Sequence, residues 1–312
     1  MKSLNIAILG CGKVGGGVAR ILTEMKEELS IRSSCNLELK KIVELYPENA
    51  VNNFNLPKNL FCGGGKNITR EEAGKYIREV LESNEIDLVV ETIGGSDDFI
   101  YNTAVDICKS GKHIVTANKA LLAERGSGIY DTARENKVIV GYEASVCAAI
   151  PIIKTIKESF TGDSIVSISG IMNGTSNYIM SRMQNENLEF EEALKLAQNE
   201  GYAEADPTLD INGYDAGHKL VILTKLAFGI DISMKELSVK GIDNINKDDI
   251  GFASEIESKI KLICYAKKID GKIYATVCPM MVKKSNFLSE VNGASNAVRV
   301  VNKYSGRHIL LG

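Results

Sequence analysis

Four carboxylates crowd the stretch GYAEADPTLDINGYDAGHK, residues 201–219: Glu204, Asp206, Asp210 and Asp215, interrupted by Pro207 and Gly213 and closed by Lys219. An acidic loop of this density suits an ammonium-bearing small molecule, and a lysine beside it can act as a proton donor. Ala216, Leu220, Leu223 and Ala227 recur at the three-and-four spacing of one apolar stripe, and Gly229 stands where a helix would stop. This pattern predicts a helix from Asn212 to Gly229, with Asp215 and Lys219 one turn apart on a shared face. Taken alone, such a pair reads as an exposed ion pair worth about 0.2–1 kcal/mol. The acidic loop upstream makes it a candidate for catalysis.

A second constellation opens the chain. Leu4 to Leu9 is a strand-like run, and GCGKVG follows at once, so that Gly10, Gly12, Lys13, Val14 and Gly15 lead into a helix through Val18, Ala19, Leu22 and Met25. Strand, glycine turn and helix in this order form the setting of a dinucleotide fingerprint. Gly10 allows the tight turn, Gly12 lets the backbone approach a pyrophosphate, and Gly15 permits close packing of helix on strand. The second strand, Leu37 to Val43, ends at Glu44. An acid there can bind the adenosine ribose hydroxyls and repel a 2′-phosphate, which favours NAD over NADP, although its distance from Gly15 exceeds the usual spacing.

The elements that carry these groups alternate. Residues 45–66, with Pro47, Pro57 and three consecutive glycines, read as loop. A helix from Thr69 to Glu82 precedes the strand Ile86 to Glu91, and TIGGS after it is another strand-to-glycine turn. A helix from Phe99 to Lys109 leads to the strand His113 to Val115, where His113 reads as structural. Lys119 falls where the carboxyl end of the sheet meets the next helix. The alternation predicts an α/β unit with a parallel sheet and ligands along its carboxyl edge.

At 312 residues, two domains sharing a ligand cleft are expected. A formal net charge of -3 gives no bias toward nucleic acid or anionic membrane. The start, MKSLNIAILG, lacks the pattern of a signal peptide, and no apolar run reaches membrane-spanning length. The seven cysteines contain no CxxC pair and read as reduced thiols of a cytoplasmic protein. A thioester mechanism through Cys147 is the alternative chemistry, but it wants a base beside the thiol and no histidine lies nearby in sequence.

The segments VVETIGG, GKHIVTANKALLA, GYEASVCAAIPII, GIMNGTSNYI and GYAEADPTLDINGYDAGHKLVIL resemble homoserine dehydrogenase, in that family's order, from Ile6 to about Val301. The resemblance implies NAD(P)-dependent interconversion of L-homoserine and L-aspartate 4-semialdehyde in threonine and methionine biosynthesis, by a homodimer. It implies a Rossmann-type nucleotide-binding domain over residues 1–142, to which 295–312 return, and an α+β substrate and dimerisation domain on a mixed sheet over 143–294. Lys219 and Lys119 match the active-site lysines, Lys119 orienting the reacting oxygen and the cofactor, Asp215 the acid beside the first, and Glu204 and Asp210 the residues that grip the substrate amino group. Thr175 matches a contact to the substrate carboxylate, and Thr92 matches a cofactor contact. Glu143 with the carbonyls of Val146, Ala148 and Ile150 matches a monovalent alkali-metal site, expected to take sodium. The chain resembles the short monofunctional form, without kinase or ACT-type domain, and stops before the family's glycine-rich turn and final helix, from which looser closure on the cofactor is expected.

Overall fold

The computed structural model describes residues 2–312, which divide into two compact units between Tyr142 and Glu143. The first unit contains β1 (Lys2–Leu9), α1 (Lys13–Glu24), α2 (Lys26–Ser33), β2 (Cys35–Val43), α3 (Pro47–Phe54) and α4 (Arg70–Glu82), followed by β3 (Leu88–Glu91), α5 (Asp98–Lys109), β4 (His113–Thr116), α6 (Lys119–Glu135) and β5 (Val140–Gly141). Its five strands are parallel, in the order β2-β1-β3-β4-β5. The apolar strands are buried because helices pack on them; Ile6, Ile8, Ile42 and Val90 form one core with Ala19 and Leu22 of α1. This is a Rossmann-like sheet. Its winding reverses at β1, which has β2 on one side and β3 on the other, so a crevice opens between the carboxyl ends of β1 and β3.

Several helix starts are written in the sequence. Thr69 and Glu72 form a reciprocal capping box at α4, and Asp97 caps α5 through the Ile100 N–H. Residues 45–66 depart from the expected loop, since α3 occupies their first part with Pro47 in its first turn, where a missing N–H costs nothing. The remainder holds two short 3₁₀ turns, Lys58–Leu60 and Cys62–Gly65, in the second of which Gly63, Gly64 and Gly65 all take positive φ.

The second unit contains α7 (Ile152–Lys154), β6 (Ile165–Ile171), α8 (Gly174–Glu186), α9 (Phe190–Asn199), α10 (Thr208–Ile211) and α11 (Tyr214–Phe228), followed by β7 (Ser238–Val239), α12 (Lys247–Glu255), β8 (Ser258–Ile269), β9 (Lys272–Lys283), β10 (Ala297–Asn302) and β11 (Gly306–Leu311). The sheet is mixed, in the order β11-β10-β6-β8-β9-β7, with only β7 and β9 parallel. Asp270 and Gly271, both at positive φ, form the two-residue turn that sets the β8/β9 register. Helices α8, α11 and α12 pack against β8.

Residues 295–312 do not return to the nucleotide-binding unit. Val298 pairs with Gly170 of β6 and with Leu310 of β11, so this segment supplies two strands of the second sheet. The alternating run AVRVVN has a half-buried edge to complete there, which is the physical reason it stays. Gly170 is what admits it so closely, since a Cβ at this position would sit 2.1 Å from the Ala297 carbonyl oxygen.

Two glycines of α1 are expected to respond with opposite signs. A Cβ on Gly15 would lie 2.1 Å from the Gly10 carbonyl oxygen and 2.5 Å from Thr92 Oγ1, whereas one on Gly17 would meet nothing within 4 Å. In urea unfolding, Gly17→Ala should stabilise by about 0.5–1 kcal/mol through backbone entropy, while Gly15→Ala should destabilise by about 1–3 kcal/mol through overpacking. Equal shifts of the two midpoints would contradict the close approach.

Candidate active site

The acidic stretch is brought against the end of β6. Beyond Ile171 the chain passes through Met172 and Asn173 into α8, and Asn173 caps that helix by accepting the Ser176 N–H at 2.7 Å. The other end of the same amide donates to Asp210 Oδ1 at 2.6 Å and to Asp215 Oδ2 at 2.8 Å. Lys219 Nζ donates to Asp215 Oδ2 at 2.7 Å and to the Met172 carbonyl at 2.8 Å. Gly213 makes this possible: it holds φ +83° at the start of α11, letting the chain turn from the acidic loop into the helix.

The Asp215–Lys219 pair is therefore not the exposed pair that its spacing suggests. Only 7 % of the Asp215 side chain and 14 % of the Lys219 side chain reach solvent. Burial works against the Lys219 charge, but the Asp215 carboxylate outweighs it and lifts the lysine above its ordinary pKa. Since the folded value is raised, the pair's contribution to stability is complete below the ordinary lysine pKa and is lost only as pH climbs through the raised one. Lys219 is an ammonium at neutral pH.

The other expected ligands separate into different fates. Asp206 accepts from the Thr208 hydroxyl and N–H at the start of α10, which lowers its pKa and makes it a local cap. Glu204 is exposed, and Asp210 is half-buried on Asn173. Thr175 and Ser176 lie in the first turn of α8, where hydroxyls commonly cap. Instead Thr175 donates to the Tyr202 carbonyl at 2.7 Å and Ser176 to the Asp210 carbonyl at 2.7 Å, tying α8 to the acidic loop. The residue that sequence reasoning missed is Asn173. Its position after an apolar strand signals a cap, but nothing local signals the two carboxylates.

Glu143 accepts the N–H groups of Ile153 and Lys154, each at 2.8 Å. In the following loop Cys147 and Ala148 take φ +53° and +46°, a left-handed turn without glycine. The Ile150 carbonyl already accepts the Ile152 N–H at 2.8 Å. Burial pushes the Cys147 thiol up to about 12, so it carries no thiolate at neutral pH and the thioester alternative loses its nucleophile.

In the first unit, a cavity of about 370 Å³ opens at the β1/β3 crevice, and Gly10, Gly12, Glu44, Arg70, Thr92 and Phe99 are among its walls. Thr92 Oγ1 donates to the Gly10 carbonyl at 2.7 Å. Gly10 takes φ +84°, and any Cβ there would strike the Thr92 backbone at 2.8 Å. Around Gly12 there is open space, and no side chain caps α1, whose first turn contains the exposed Lys13 and Val14. Backbone N–H groups thus face the crevice, as an anionic pyrophosphate requires. Glu44 ends β2, and its carboxylate accepts the Cys11 N–H at 2.5 Å and the Tyr46 N–H at 3.1 Å.

Lys119 is the first residue of α6, just beyond the carboxyl end of β4. Asn118 sets that helix start, accepting the Leu121 N–H at 3.2 Å and donating to the Gly95 carbonyl at 2.7 Å. Beneath it the fully buried Glu91 accepts from the Thr116 hydroxyl at 2.6 Å and from the Ile93 N–H at 2.9 Å. Neither Asn118 nor Glu91 was singled out from sequence, although an acid closing an apolar strand is a visible signal. His113 accepts the Ile139 N–H at 3.1 Å and is structural, as expected.

Comparison with known proteins matches both units to one family. Residues 10–143 match the homoserine dehydrogenase NAD-binding domain, and residues 151–312 match the homoserine dehydrogenase domain. The homoserine dehydrogenase of Neisseria gonorrhoeae is 39% identical over 96% of this chain and 66% of its own length, and that of Helicobacter pylori is 40% identical over 100% and 69%. A crystal structure of homoserine dehydrogenase from Thiobacillus denitrificans superposes with a TM-score of 0.89 at 35% identity, covering 100% of this chain and 69% of that one. The S. aureus enzyme gives 0.81 at 33%, over 100% and 71%. The chain spans about two thirds of the length of these relatives. With a crevice at the carboxyl ends of a Rossmann-like sheet in one unit and a buried lysine–carboxylate pair on α11 in the other, and with relatives of one kind matching this whole chain, it belongs to the homoserine dehydrogenase family of nicotinamide-dependent oxidoreductases.

Proposed function

We propose that the chain interconverts L-homoserine and L-aspartate 4-semialdehyde with NAD or NADP, the step of threonine and methionine biosynthesis that its family implies. The observation that supports this best is the buried Lys219–Asp215 pair, held at the acidic loop by Asn173. Lys219 holds its proton at neutral pH and delivers it to the aldehyde oxygen, taking it back in the oxidation. Asp215 fixes the direction of that ammonium. Asp210 and Glu204 take the substrate amino group, Thr175 lies beside the substrate carboxylate, and Lys119 orients the reacting oxygen. In this reading Thr175 acts as an acceptor or must release Tyr202, because its one proton is already given.

The crevice residues fit a dinucleotide, with Gly10, Gly12, Lys13, Val14 and Gly15 around the pyrophosphate, Glu44 on the ribose and Thr92 supporting the turn. Bound there, the nicotinamide supplies the hydride. Glu44 favours NAD, while Arg70 on the same cavity supplies the positive charge that lets NADP enter. For the alkali-metal ion, sodium in this reading, the Glu143 carboxylate and the carbonyls of Val146, Ala148 and Ile150 are hard oxygen ligands in a tightly turned loop, and its role is structural. The same reading makes the protein a cytoplasmic homodimer that engages neither nucleic acid nor membrane. Among the described residues no helix is long and apolar enough to cross a bilayer.

The assay is oxidation of NADH or NADPH by aspartate semialdehyde, followed by absorbance. A mixture that stays inert with both cofactors favours a non-catalytic relative. Lys219→Ala should lose at least about a hundredfold in kcat, the weight of a general acid. It should also unfold more readily by about 3–5 kcal/mol, because the buried Asp215 loses its counter-charge. The double variant Lys219→Met with Asp215→Asn should regain stability and stay inactive; activity in either variant removes Lys219 from its role.

Replacing Glu204 or Asp210 by its amide should raise the homoserine KM, and parent values in both would reduce the loop to a surface feature. For the cofactor, the parent should prefer NAD, and Glu44→Ala should narrow that preference. A parent with strong NADP preference would sink the assignment of Glu44.

A further inference from the structure

Asn173 does more than begin a helix. Its side chain is 4 % exposed, with Oδ1 accepting the Ser176 N–H while Nδ2 donates to two different carboxylates, Asp210 and Asp215. The amide cannot be turned over, because its oxygen would then face both carboxylates and its NH₂ group an N–H. Asp215 Oδ2 also accepts from Lys219 Nζ, so one hydrogen-bonded line runs from Asp210 through Asn173 and Asp215 to Lys219. Two carboxylates held near one another repel, and one of them protonates or swings away unless each receives a donor. A primary amide supplies two protons from one atom; a hydroxyl has one and a carboxylate none.

We infer that Asn173 is a positioning residue for the reaction: its two N–H groups hold Asp210 for the substrate ammonium and Asp215 for Lys219, separately from its service as a helix cap. The inference rests on the reading of this site as that of homoserine. It assigns no contact with substrate to Asn173 itself. The same dipeptide, Met172–Asn173, gives Lys219 a main-chain acceptor, so the end of β6 fixes both the lysine and its partner.

Asn, Asp and Ser cap helices about equally well, and this separates the two roles. Asn173→Ser and Asn173→Asp preserve the helix start but remove the NH₂ group. With melting close to the parent's, the Ser variant should raise the homoserine KM and lower kcat, each by about tenfold, the weight of one charge-assisted hydrogen bond. The Asp variant adds a negative charge to a cluster in which Lys219 faces Asp215 of its own helix, Cys147 of the loop after Glu143 and Cys264 of β8. It should therefore move the alkaline limb of the pH–rate profile upward and slow the acylation of Lys219 by acetic anhydride at fixed pH, read by peptide mass. Folded variants with the parent's kcat, KM, profile and labelling rate would show a cap and nothing else, overturning the inference. Labelling needs no turnover, so a parent inert toward homoserine sinks the proposed activity while the labelling rates still decide the role of Asn173.

Discussion

An ammonium and a carboxylate withdrawn from water hold each other in place, because separating them leaves a bare charge in a poorly polarisable surrounding. The second unit is arranged around one such pair. With Lys219 and Asp215 both largely out of solvent, α11 must lie where the lysine also reaches the Met172 carbonyl. The end of β6 must in turn present an amide to the spare lone pairs of Asp215. The charge is thus aimed before any ligand arrives, the condition under which electrostatic stabilisation costs no reorganisation during reaction.

The first unit meets its own constraint by subtraction. The Glu44 carboxylate holds the turn after β1 at the Cys11 N–H, but the turn closes only because Gly10 and Gly15 lack a Cβ, so that the Gly10 carbonyl, the first turn of α1 and Thr92 can occupy nearly the same space. The Thr92 hydroxyl then takes up the Gly10 carbonyl that this crowding would otherwise leave exposed to the crevice. One unit gains its geometry from attraction across a short distance and the other from the absence of repulsion.

That difference governs how much was legible in the sequence. Strand, glycine turn and helix are local, and β1, β2, β3 and β4 lie where apolar runs and breakers put them. The helix bearing Asp215 and Lys219 was equally visible in its apolar stripe. Burial of that pair was not, because an exposed and a buried Asp–Lys pair share one spacing and differ only in what covers them. Asp206 and Asp210 look alike on paper; one is a cap and the other meets Asn173, 37 positions away in the chain. Short α3 was hidden by flanking prolines and polar residues. The run 297–302 reads as a strand of some sheet, but pairing partners are not encoded in a period of two, so its attachment to β6 had to be seen.

This attachment has a consequence for how the chain is made. In the first unit, sheet neighbours emerge nearly in order of synthesis, and such units can consolidate while translation continues. The strand that ends beside the Lys219 acceptor waits much longer: Ile171 pairs with Ala297, and the first turn of α8 is braced by Asn177 donating to the carbonyls of Val291 and Ser295. Until those residues leave the ribosome, β6 has an open edge and Asn173 stands on an unbraced helix start. While that edge is open, β6 has only β8 to pair with, and an unpaired strand edge is the kind of surface that invites aggregation.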